Sequence, residues 1–345
     1  MSPRLQLYQR SAWEELRREL RLDPVVIRRV RTALLKHFLP GEAALRDFPA
    51  VERFTPPSLE LFQRHDSTLD GASKLLFKTA AGMLIEAVIL RVASGRTALC
   101  VSSQVGCAAA CDFCATGKMG IARNLSVAEI LDQLLIAGRL LGSEKRKVRN
   151  IVFMGMGEPF HNEANLFEAL EVLTAAEFFH HPPTKILVST VGIVEGMLRC
   201  ATRFPRLNLA LSLHSVRQEI REQLIPLAKL YPLDMLRETI REINARTTAP
   251  VMIEYLLLAG QNDSADDARE LIAWLTGLRV HLNLIPYNPI DESPHLQGSD
   301  PATRAAFAAQ VKAAGIATTL RYSLGQDIAA ACGQLVRHEN RQRKT

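Results

Sequence analysis

The chain has 345 residues, 48% apolar and 23% charged, a balance that fits one large globular domain, with or without a small appendage, and excludes a disordered or fibrous chain. No apolar run reaches the roughly 18–20 residues of a membrane span, and the opening MSPRLQLYQRSAWEEL lacks a signal-peptide core, so the sequence reads as soluble and cytoplasmic with no membrane partner. Lys and Arg number 42 against 36 Asp and Glu, a net +6 concentrated in residues 1–80, which is compatible with an RNA partner without requiring one.

In chain order, Trp13, Leu16, Leu20 and then Val26, Val30, Leu34 recur at helical spacing across 11–37. Asp23-Pro24 reads as an N-cap with proline at the first helical position. Arg28, Arg29, Arg31 and Lys36 make a basic helix face whose plain reading is a solvated surface. Pro49, Pro56 and Pro57 mark a linker. These features assign residues 1–73 to a small helical accessory domain, a candidate for RNA binding, and 336–345 to a basic tail.

From about residue 74 strand-like runs alternate with amphipathic helices. Strands are expected at 97–105, 149–154, 185–190, 207–213, 251–258 and 280–286, with a further one at 316–322. The first helix between them opens on the capping box Ser126-Val-Ala-Glu129 and stops at Gly142. Others are expected near 163–177, 192–203, 234–246, 264–276 and 301–314, with Ser264 and Asp300-Pro301 as good starts. Six alternating units imply an α/β fold with a parallel sheet. Eight would close a barrel, so six predict an open or partial one over 74–335. Function in such folds gathers at the C-terminal strand ends.

Four of the six cysteines fall at 100, 107, 111 and 114, and the others at 200 and 332. In a reducing compartment such clustering points to metal binding or catalysis. Cys107-x3-Cys111-x2-Cys114 can converge from one loop. A cubane iron–sulfur cluster takes four thiolates, so three leave one iron open. Zinc would need a fourth ligand such as His161 or Cys100. Incidental buried cysteines are the plain alternative.

The C-x3-C-x2-C spacing with Phe113 before the last cysteine resembles the signature of radical S-adenosylmethionine (SAM) enzymes. Further segments resemble the RlmN/Cfr family of radical SAM RNA methyltransferases: VSSQVGC (101–107), RNLSVAEI (123–130), FMGMGEP (153–159), VSTVGI (188–193), LALSLHS (209–215), NLIPYNP (283–289) and DIAAACGQL (327–335). They stand in matching order over roughly residues 86–335. The resemblance implies a partial (β/α)6 barrel and a [4Fe-4S] cluster on Cys107, Cys111 and Cys114, with SAM chelating the fourth iron. It implies methylation of an adenine carbon of 23S rRNA, at C2 in preference to C8, and of some tRNAs. A reductant such as flavodoxin or ferredoxin and a monomeric enzyme go with it.

The resemblance also assigns residues. Gly157 and Glu158 would meet the SAM amino group, and Ser189, Ser212, Leu213, His214 and Asn288 would be further SAM contacts. Each alone has a plain reading as turn or core chemistry. Cys332, by composition a small buried residue, would accept a methyl group on sulfur. The methyl carbon would then join the adenine, and Cys100 would release the product by forming a Cys100–Cys332 disulfide. Glu86, inside the apolar run LIEAVIL, would take the adenine proton. Cys200 matches nothing and reads as structural, while Lys118 and Arg123 read equally as contacts to SAM or RNA phosphate or as solvated surface. Two alternatives stay open: radical chemistry on a different substrate, and a zinc-stabilised RNA-binding module.

Overall fold

The computed structural model describes residues 5–335, so the tail expected at 336–345 lies outside them. Helices α1 (Arg10–Glu19) and α2 (Pro24–Leu35) divide at Asp23, whose carboxylate accepts from the Val25 amide at 2.7 Å. That cap, with Pro24 behind it, starts a new helix where a continuous one would otherwise run. Trp13, Leu16, Val30, Leu34 and Leu35 bury the inner faces. Of the basic stripe, Arg28 and Arg29 are exposed, Arg31 lies 5.4 Å from the Phe178 ring centre and Lys36 donates to the Ala176 carbonyl at 2.6 Å. A short α3 (Gly41–Ala44) closes the helical part.

Strands β1 (Leu59–Asp66), β2 (Ala72–Thr79) and β3 (Leu84–Arg91) then form an antiparallel meander. A helical domain drawn at 1–73 therefore ends too late, because β1 and its turn into β2 belong to the sheet. The meander escaped the sequence because β2 and β3 are buried on both faces and show no alternation. β1 is a bulged edge strand, with the irregularity between Leu61 and Gln63.

After β4 (Thr97–Cys100) come β5 (Gln104–Gly106), α4 (Ala115–Lys118), β6 (Ile121–Asn124) and α5 (Val127–Ser143). The single strand expected at 97–105 is thus two. The chain turns at Ser102, where buried Gln133 of α5 accepts from the Ser102 amide at 2.8 Å and donates to its carbonyl at 2.9 Å. β5 and β6 make a separate two-stranded ribbon. The capping box of Ser126 and Glu129 forms as expected, and α5 runs one residue past Gly142.

The remaining order is β7 (Asn150–Phe153), α6 (Glu163–Thr174), β8 (Ile186–Thr190), α7 (Val194–Arg203), β9 (Asn208–Ser212), α8 (Gln218–Leu224), α9 (Leu233–Arg246), β10 (Val251–Leu257), α10 (Ala265–Leu275), β11 (Val280–Pro286), α11 (Pro301–Ala313) and β12 (Thr318–Leu320). Strands β4 and β7 to β12 are parallel neighbours, and the sheet runs β1-β2-β3-β4-β7-β8-β9-β10-β11-β12. Its end strands do not pair, so the barrel is open. Ile151, Val188, Leu211, Ile253, Leu282 and Leu284 are buried in the sheet, each contributing about 1.5–3 kcal/mol of transfer free energy. Among the described residues no helix is long and apolar enough to cross a membrane.

Candidate active site

The cysteine loop leaves β5 at Cys107 and returns into α4. Its tightness is backbone-determined. Ala110 takes a left-handed φ of 54°, the Cys114 amide donates to the Cys111 carbonyl at 3.2 Å, and Ala109 N–H meets Cys107 Sγ at 3.4 Å. Gly117 lies so close beneath that a Cβ would stand 2.9 Å from the Cys111 nitrogen. Cys107, Cys111 and Cys114 all line one inner cavity at the C-terminal ends of the strands. Burial pushes the Cys107 thiol up to about 12, and raises Cys111 and Cys114 in the same direction. A bound cation offsets that penalty by favouring thiolates. Outside the loop, Asp112 pairs with Lys118 and with His295 at 2.7 Å. Lys118 is thereby engaged, as is Arg123, which pairs with Glu129 at 2.5 Å.

The opposite wall of this cavity comes from the ends of β7, β8, β9 and β10. Gly155, Gly157, Glu158, Ser189, Ser212 and His214 all line it. A Cβ at Gly155 would sit 2.7 Å from Ser102 Oγ and the Val101 carbonyl, which is the close approach that lets β7 cross the turn after β4. Glu158 is buried; its two oxygens accept from Phe160 N–H at 3.0 Å and Val191 N–H at 2.9 Å. Desolvation raises its pKa to about 7 against those donors. His214 Nδ1 accepts from the Leu256 amide at 3.0 Å, and burial lowers the ring to about 3, so it is neutral with Nε2 carrying the hydrogen. Phe113 packs edge-on against it at 4.6 Å. Leu213 instead turns its side chain into the main core, and its amide donates to the Glu254 carbonyl at 3.0 Å.

A second, larger cavity of about 860 Å³ adjoins the first, within the size range of ligand sites. Cys332 lines both cavities, and Cys100 lines the larger. No disulfide joins them: both are free thiols, Cys100 buried and Cys332 exposed. Burial pushes Cys100 up to about 12, with Cys332 adding to the effect, and both residues line the larger cavity. Asn288 lines neither cavity. Its Nδ2 donates to the Cys332 carbonyl at 3.1 Å, and its Oδ1 accepts from Gln326 at 2.8 Å. Asn288, expected as a SAM contact, thus also holds the Cys332 segment. Glu86 is fully buried on β3 and lines neither cavity. It shares a sheet face with Val88, which pairs with Cys100 in register.

Comparison with known proteins agrees with this geometry. The Radical SAM superfamily model matches residues 101–275. A probable RNA methyltransferase of Rhodopirellula baltica is 59% identical over 98% of this chain and 89% of its own. The probable dual-specificity RNA methyltransferase RlmN of Thermus thermophilus is 41% identical over 87% of this chain and 81% of its own. The chain belongs to the RlmN/Cfr family of radical SAM RNA methyltransferases. A crystal structure of a radical SAM methyltransferase from Sphaerobacter thermophilus has the same fold, with a TM-score of 0.90 and 34% identity over 96% of this chain and 99% of that one.

The radical SAM family implies a [4Fe-4S] cluster and SAM, and the donor set fits. Three thiols share one wall, and neither His161 nor Cys100, the fourth ligands a zinc ion would call on, lines that cavity. Among the described residues no three His, Cys, Asp or Glu side chains gather about a single ion position. Thiolates that each bind a different iron need no such common point. Sequence reading missed three lining residues of this RlmN-type site. Arg321 lines both cavities and pairs with buried Glu254 at 3.6 Å, and Glu254 also accepts from Asn283 at 3.0 Å. Cys332 is the largest influence raising Arg321 above its ordinary value. The signal was an arginine just past β12 and a carboxylate in the middle of the apolar strand β10. Exposed Tyr322 is the third.

Proposed function

We propose that this enzyme methylates an adenine carbon, C2, of 23S rRNA and of some tRNAs through an S-methylated Cys332, as a cytoplasmic monomer reduced by a flavodoxin or ferredoxin. The observation that carries the reading is Cys332 at the junction of two cavities, one walled by the cysteine triad and the other by Cys100. A thiol there can meet a methyl donor on one side and a base on the other. When bound, the cluster and SAM supply both the methyl group and a hydrogen-abstracting adenosyl radical.

The rest falls to the chain. Cys107, Cys111 and Cys114 hold the cluster. Glu158 offers a carboxylate to an ammonium group. Ser189 and Ser212 offer hydroxyls and neutral His214 an N–H donor. Leu213 contributes its backbone at the end of β9. Arg321 places a guanidinium beside Cys332, at the mouth shared by the two cavities. Asn288 holds the Cys332 carbonyl, fixing where that sulfur points. The adenine amidine carbon is electrophilic and does not attack a sulfonium methyl, so a sulfur-borne carbon must reach it instead. The base is then tethered to Cys332, the odd electron of that addition passing to the redox partner, until the Cys100 thiolate attacks that sulfur: the Cys100–Cys332 bond forms, the sulfur–carbon bond breaks, and the freed carbon takes a proton to become the methyl group. Glu86, on the same sheet face as Cys100, takes the proton released from the adenine.

Cysteine variants separate these roles. Cys107→Ala, Cys111→Ala and Cys114→Ala should each lose the iron–sulfur absorbance. Cys332→Ala should keep it and lose RNA methylation. Cys100→Ala should accumulate RNA covalently bound to protein on a denaturing gel. RNA methylation by Cys332→Ala at the parent rate would end the proposal.

A further inference from the structure

The loop after α5 reads Glu144-Lys-Arg-Lys-Val-Arg149, a run with no part in the chemistry above. With Arg96 from the β3–β4 turn it forms a concave site of about 610 Å³ on the N-terminal side of β4 and β7. Arg96, Lys145, Lys147 and Arg149 are exposed and Arg146 is half-buried. Ser94, Gly95 and Thr97 complete the rim. Glu144 is its one carboxylate, and it is already taken by Arg91 at 2.7 Å and Arg64 at 3.3 Å. Among the described residues none of the five cations forms an ion pair. Three exposed arginines elsewhere are paired, Arg199 with Glu163, Arg203 with Glu171 and Arg241 with Glu238.

Cations just past a helix C-terminus complement its carbonyl end, and that alone could account for Lys145 and Arg146. It does not account for Arg96 and Arg149, which come from other turns. Nor does it explain the backbone. Lys145 takes the left-handed φ of 54° that closes α5, with the Arg146 amide donating to the Leu141 carbonyl at 2.9 Å. Glycine commonly fills that position; here a strained lysine keeps its charge at the rim. Arg96 also lines the large cavity that holds Cys100 and Cys332, so the bowl and the cavity adjoin at that side chain. The same cavity carries Tyr322, 88% exposed, an aromatic face open to an unpaired base.

We propose that the bowl holds phosphodiester groups of the substrate RNA strand, next to the nucleotide whose base enters the large cavity. This inference rests on the RNA methyltransferase reading above and names the surface that reading lacks. Phosphate contacts position a strand without reading its sequence. The bowl therefore sets affinity and register, while the cavity selects the base.

The test is filter binding of protein-free 23S rRNA across roughly 50–200 mM salt. Three proteins are compared: the parent, K145E/K147E, and K229E/K312E, which makes the same charge change at exposed lysines elsewhere. Thermal unfolding checks that both variants fold. The proposal predicts that K145E/K147E weakens binding about tenfold or more and lowers the salt slope by about 1.5, while K229E/K312E binds as the parent does. Equal losses in both variants would reduce the effect to net charge and overturn the bowl, as would parental binding by K145E/K147E. Bowl-dependent binding by a parent enzyme that methylates no adenine would support the bowl and end the reading it rests on.

Discussion

Gly157 holds φ at +101°, and a Cβ there would come within 2.6 Å of Gln104 Cβ and 2.8 Å of its backbone nitrogen. Gln104 cannot yield freely, since its Oε1 accepts from the Glu158 amide at 2.8 Å and its Nε2 donates to Asn124 at 2.7 Å. A methyl group at 157 therefore displaces the carboxylate next to it. Gly157→Ala should weaken SAM binding more than tenfold in a calorimetric titration, because backbone strain of about 1–2 kcal/mol adds to the shift of Glu158. Unchanged affinity would show that Glu158 does not face the ligand. Asn288 makes a different point. Its neighbours in Tyr287-Asn288-Pro289 say only that a turn is present, and its true partner, Cys332, lies 44 residues on. That pairing is invisible to local pattern. Asn288→Ala should slow methyl transfer to Cys332 more than it weakens SAM binding, and the reverse split would return Asn288 to the SAM site.

At the scale of elements, Glu144 joins α5 to the meander. Its carboxylate takes both Arg91 Nε and Nη2 at 2.7 Å, and Arg91 also donates to the Gly71 carbonyl at 3.1 Å and Ser73 Oγ at 2.8 Å. The side-chain hydrogen bond from Arg91 is the chief cause holding the Glu144 carboxyl below its ordinary range, with Arg64 assisting. A depressed carboxylate stabilises the fold above its unfolded value, about 4.3, and that contribution is lost as pH falls through the lower folded value. Glu144→Gln should thus cost about 1 kcal/mol at neutral pH, a paired but partly exposed group. The difference should be smaller at acid pH than at neutral pH, measured by urea unfolding at both. A constant difference at both pH values would place the effect in packing instead. The elements themselves were unequally legible. Ser126 with Glu129, Ser264 and Asp300-Pro301 announce their helices because capping is local chemistry. LIEAVILR reads as an apolar strand around Glu86, but ASKLLFKT conceals its partner, because burial on both faces erases the period-two signal that identifies a strand.

At the scale of the molecule, the open barrel brings one end of every parallel strand to a common floor. The cysteine triad, the glycines after β7 and the serines ending β8 and β9 were readable there, since each ends a strand already visible in the sequence. The larger cavity was not. Its walls combine the meander, β12 and the segment around Cys332, which approach one another only through long-range pairing. Contacts across 255 residues fix that segment: Asp70 accepts from the Gly325 amide at 2.8 Å and Lys74 donates to the Ala329 carbonyl at 3.3 Å. The basic bowl likewise joins turns that are distant in sequence and close on one face. The proposed function makes Cys332 a methyl carrier between the cysteine triad and the RNA substrate, and that is the claim to test. The most direct measurement supplies SAM with a trideuterated methyl group to the anaerobically reconstituted enzyme and protein-free 23S rRNA, then reads the methylated nucleoside by mass spectrometry. A carbon that waits on Cys332 loses one deuterium before it joins the base, so the account predicts 2-methyladenosine carrying two deuterium atoms. A methyl group that keeps all three would mean direct transfer from SAM and contradict it.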